Sequence, residues 1–85
     1  MLTLQDAREF ADLARNINLT DAASSKLVAQ WGIDGGLSSR KMKALVHHMR
    51  SAMAAADAAP SEGPHASRFN GHRAKMRAIM NKVEA

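Results

Sequence analysis

The sequence predicts an all-α protein, a small bundle of about four helices, and three observations predict it. Alanine and methionine are plentiful while β-branched residues are sparse, a balance that favours helix over strand. Apolar side chains recur at three- and four-residue steps, the spacing that lines up one face of a helix. Capping and breaking residues separate the periodic stretches.

The first helix opens at Thr3, with Asp6 three residues on as a capping-box partner. Phe10, Leu13, Ala14 and Ile17 line its inner face, Arg8, Glu9, Asp12 and Arg15 its outer one, and Asn16 and Asn18 end it. Asn18 or Thr20 is the expected cap of a second helix, with Asp21 in its first turn, where a negative charge suits the helix dipole. Ala23, Leu27 and Trp31 form its ridge beside Val28, Trp31 is read as a core anchor, and Gly32 is the expected C-cap.

Residues 39–58 carry the cleanest pattern in the chain. Met42, Leu45, Val46, Met49 and Met53 form an apolar seam, and Arg40, Lys41, Lys43, His47, His48 and Arg50 crowd the remaining surface. Ser38 is the expected N-cap, with Leu37 and Met42 spaced as a hydrophobic staple. Beyond the alanine run, residues 59–66 read as a Pro- and Gly-containing linker, which divides a three-helix body at 1–58 from a basic amphipathic helix at 67–85. Phe69, Met76, Ile79, Met80 and Val83 form the stripe of that last helix, and Asn70-Gly71 moves its expected regular start towards His72.

At 85 residues the chain is close to the lower limit for a self-sufficient core. With only Phe10, Trp31 and Phe69 as aromatics, a second copy or another protein is expected to complete it, and a homodimer is one such state. The absence of cysteine excludes a disulfide framework and a thiolate metal site. No secretory signal is legible, and no stretch approaches the roughly 18 apolar residues of a membrane span. A soluble, cytoplasmic protein with no membrane association is expected.

Charge is distributed unevenly. Residues 1–35 hold three Lys or Arg against five Asp or Glu, whereas residues 36–85 hold nine against three. A basic second half points to a polyanionic partner, nucleic acid and most simply DNA, or to an acidic protein surface. The order helix, glycine-containing turn, basic helix resembles a helix-turn-helix over about residues 20 to 53. The connection from Gly32 to Leu37 is longer than the three or four residues usual there. Arg40, Lys41 and Lys43 stand in the first turns of their helix, where cations oppose the macrodipole; with the free N–H groups of that turn they would cradle phosphate.

The candidate nucleic-acid-binding residues are therefore Arg40, Lys41, Lys43, His47 and Arg50, with Arg73, Lys75 and Arg77 adding backbone contacts from the last helix. His47, His48, His65 and His72 lack the spacing of a zinc site, since adjacent helical positions diverge by about 100°. No metal, cofactor or enzymatic activity is expected, because no nucleophile–base–acid arrangement and no glycine-rich phosphate loop is legible. The competing expectation is a protein-binding adaptor or inhibitor of the mobile-element type, docking Met-rich seams and basic helices on an acidic surface of a larger host complex.

Overall fold

The computed structural model describes residues 1–19, 21–58 and 66–84, and among them every regular element is a helix. These are α1 (Leu4–Asn16), α2 (Ala22–Asp34), α3 (Ser39–Ala58) and α4 (Ala66–Glu84). The linker expected at 59–66 lies outside the described residues except for Ala66, which is already helical.

Helix ends follow local side-chain chemistry. Thr3 caps α1 in a full capping box: the Asp6 N–H donates to Thr3 Oγ1 at 3.0 Å, and the Thr3 N–H donates to Asp6 Oδ2 at 3.3 Å. Asn18 follows the helix with φ of 64°, a left-handed conformation that asparagine tolerates better than most residues. Asp21, expected in the first turn of α2, is instead its N-cap, because Oδ1 accepts from the N–H groups of Ala23 and Ser24.

The expected C-cap at Gly32 is also displaced. Helix α2 runs on to Asp34 and closes at Gly35, whose φ of 76° is open to glycine at little cost. A Cβ at Gly32 would meet only the far end of the exposed Arg8 side chain, Nη2 at 2.7 Å, which can swing aside. The connection to α3 is thus Gly35 to Ser38, as short as a helix-turn-helix turn. Ser38 Oγ then accepts from the Lys41 N–H at 3.2 Å and caps α3 as expected. In α4 the helix continues through Asn70 and Gly71, upstream of the His72 start.

The helices form a closed ring in which α1 packs on α2, α2 on α3, α3 on α4 and α4 on α1, with a lighter contact between α1 and α3 across the middle. One core joins all four: Phe10 and Leu13 from α1, Val28 from α2, Leu45, Met49 and Met53 from α3, and Met76, Ile79 and Met80 from α4. The C-terminal helix therefore shares its core with the three helices before it. Trp31 packs half-buried against this core, and Val28 is the buried residue of α2.

Asp6 joins the first helix to the last, as its Oδ1 lies 3.2 Å from Lys82 Nζ. Hydrogen bonds from Thr3 and the nearby Lys82 ammonium hold this carboxyl below its usual value, against the opposing effect of burial. A folded pKa below the unfolded one contributes stability that is present above the unfolded pKa and lost as pH falls through the folded one. Between pH of about 6 and about 3, the melting temperature of the native chain should therefore fall further than that of Asp6→Asn. Parallel falls would show that Asp6 is not linked to folding.

Candidate functional site

Helix α3 supplies the most distinctive surface. Leu45, Met49, Met53 and Ala56 are buried, and Met42, Val46 and Ala52 are half-buried around them. That inward line fixes the opposite one by helix geometry: Arg40, Ala44, His47 and Ser51 follow one another outward at steps of four, three and four residues. Lys43 and Arg50, seven residues apart, flank this line on the side of α4, where both border a groove with Val83. Lys41 stands on the other flank. It lies seven residues before His48, whose Nδ1 is 3.3 Å from Asp21 Oδ2 of α2. Arg40, Lys41, Lys43, His47 and Arg50 are all exposed, spread over about 15 Å of helix axis.

Partners divide these cations. Among the described residues no carboxylate pairs with Arg40, Lys41 or Lys43. The only acidic residue of α3 is Asp57, near its far end, and it pairs with Arg77 of α4. Arg73, half-buried, donates from Nε to the Ala56 carbonyl at 2.7 Å and from Nη1 to Asn70 Oδ1 at 2.9 Å. The Ala56 carbonyl belongs to the last turn of α3, which lacks intrahelical partners, so Arg73 serves as a cap from the neighbouring helix.

The three cations expected to act together on α4 do not share a face. Arg73 and Arg77, four residues apart, turn towards α3. Lys75 is exposed about 200° from either neighbour, on the flank of Lys82 and α1. Helix α3 thus brings together five of the eight expected residues, Arg77 lines a second α3–α4 recess with Arg50, and Arg73 and Lys75 stand apart.

Sequence reasoning missed Asp57 and Asn81, which line that second recess with Arg50 and Arg77. Asp57 was visible as the single acid in an otherwise basic helix; its partner twenty residues away was not. His47 and His48 place their ring centroids 5.7 Å apart, and among the described residues no three His, Asp or Glu side chains converge as a metal site requires. His65 lies outside the described residues. No helix among the described residues is long and apolar enough to cross a membrane.

Comparison with known protein families, with curated proteins and with solved structures finds no match for this chain.

Proposed function

We propose that this chain is a small nucleic-acid-binding protein, a regulatory or accessory factor acting in the cytoplasm as a homodimer, whose contact surface is the outward face of α3. The observation that carries this reading is the α3 stripe: five exposed cationic or titratable side chains, three of them without a carboxylate partner among the described residues. Cations left unmatched in the first turns of a helix cost a little stability and favour an anion. On this reading Lys41, Lys43 and Arg50, on the flanks, take phosphates. Arg40 and His47, on the outermost line, are placed to reach base edges, and duplex DNA is the expected ligand.

A mobility-shift titration of the full chain against random duplex and single-stranded DNA and RNA, at two salt concentrations, tests this. Three or four neutralised phosphates of duplex DNA give a log–log salt slope of about −3 to −4. Binding that ignores salt, or none at low salt, overturns the reading. The second reading is a protein adaptor or inhibitor whose basic helix meets an acidic partner surface, which the same unmatched cations of α3 would suit. Capture of an acidic partner that is lost in Lys43→Ala/Arg50→Ala, together with absent nucleic-acid binding, would establish it.

A further inference from the structure

Between α3 and α4 lies an open recess of about 260 Å³. Its floor is apolar, from the buried Met53 and Met80. Arg50, Arg77 and Asn81 line it together with Asp57, the one acid among its described lining residues. The Asp57 carboxylate accepts a hydrogen bond from Arg77 Nη2, and both side chains are about half exposed. Arg50 stands seven residues after Lys43 on α3, so the recess continues the basic stripe at its C-terminal end.

We propose that this recess is a phosphate seat of the nucleic-acid interface, formed by Arg50, Arg77 and Asn81, and that Asp57 occupies it as an internal competitor in the free protein. The inference rests on the reading of α3 as a nucleic-acid surface. Two guanidinium groups and an amide present several N–H donors from two helices, the arrangement that a tetrahedral anion with several acceptor oxygens satisfies and a single carboxylate only partly does. An exposed ion pair is worth little to the fold, so Asp57 yields Arg77 readily to a phosphate. Its remaining effect is repulsion: a carboxylate beside the seat weakens binding until it turns aside. Asp57 therefore sets the affinity of the interface below what its cations alone would give.

The test measures affinity for one duplex DNA, by fluorescence anisotropy at low salt, for the full chain and four variants. Asp57→Asn should bind about fivefold more tightly, with a salt slope steeper by up to about one phosphate. Adding Arg77→Ala to Asp57→Asn should erase that gain. Glu9→Gln removes one negative charge from the exposed face of α1, well outside the recess, and should leave affinity within about twofold. Asn81→Ala in the Asp57→Asn background should lose part of the gain. Melting curves confirm that each variant is folded.

An equal gain from Glu9→Gln would reduce the effect to net charge and overturn the seat. A gain that persists without Arg77 would overturn it as well, as would an unchanged affinity for Asp57→Asn. Those three results leave the α3 interface standing. A native chain that fails to bind any nucleic acid at low salt overturns the interface itself, and the seat with it.

Discussion

Replacing Lys43 and Arg50 together by alanine should weaken duplex DNA binding more than about tenfold at low salt and make the salt slope shallower by about two. Both side chains are exposed and border the same groove beside Val83, so they act on one stretch of backbone. Exposed substitutions of this kind usually change folding stability by no more than about 0.5 kcal/mol, so a loss of binding reports the contact and not the fold. Lys75→Ala is the matched control: it removes an exposed cation from the far flank of α4 and should change affinity less than about twofold. Unchanged affinity in the double variant would move the interface off α3. An equal loss from Lys75→Ala would mean that only the net positive charge matters.

The expectation about α3 was legible because every signal in it is local. Met42, Leu45, Val46, Met49 and Met53 recur at helical steps and are all buried or half-buried in the core, and the outward position of Arg40 and His47 follows from the same period. The Thr3–Asp6 capping box and the Ser38 cap are likewise patterns of three or four residues.

Expectations went astray where a distant residue decided the outcome. Gly32 looked like a helix end because glycine is a poor interior residue, yet Trp31 beside it packs against the core and the helix runs on through Gly32 to close at Gly35. Asn70 and Gly71 looked like a weak start, but Met76, Ile79 and Met80 bury their side chains in the shared core and tie the following turns of α4 to it. The same limit applies to the site. Periodicity says that Arg40 and Lys43 face outward, but it says nothing of Arg73 reaching the Ala56 carbonyl or of Arg77 meeting Asp57.

The largest expected effect on stability comes from Leu45→Ala. Leu45 is 1% exposed and stands where α1, α2 and α3 meet, among Phe10, Val28 and Met49, beside a small void of about 20 Å³. Truncation removes three carbons from this junction and enlarges a space that neighbours on three helices cannot readily collapse into, which costs about 2–5 kcal/mol. A chain of 85 residues has roughly 4–13 kcal/mol of stability in all, so the loss is a large share of the total. At about 4–8 °C per kcal/mol for a domain of this size, the melting temperature should fall by about 10 °C or more. Urea titration followed by far-ultraviolet circular dichroism checks the free energy, and Ile33→Ala, at an exposed apolar position, should stay within about 0.5 kcal/mol of the native chain. A cost below about 1 kcal/mol for Leu45→Ala would mean that the junction of the three helices is not packed around Leu45. Repeating the melts over a hundredfold range of protein concentration separates two ways of holding so thin a core. A melting temperature that rises with concentration means that a second copy shares in it, and one that stays constant means that the four helices suffice alone.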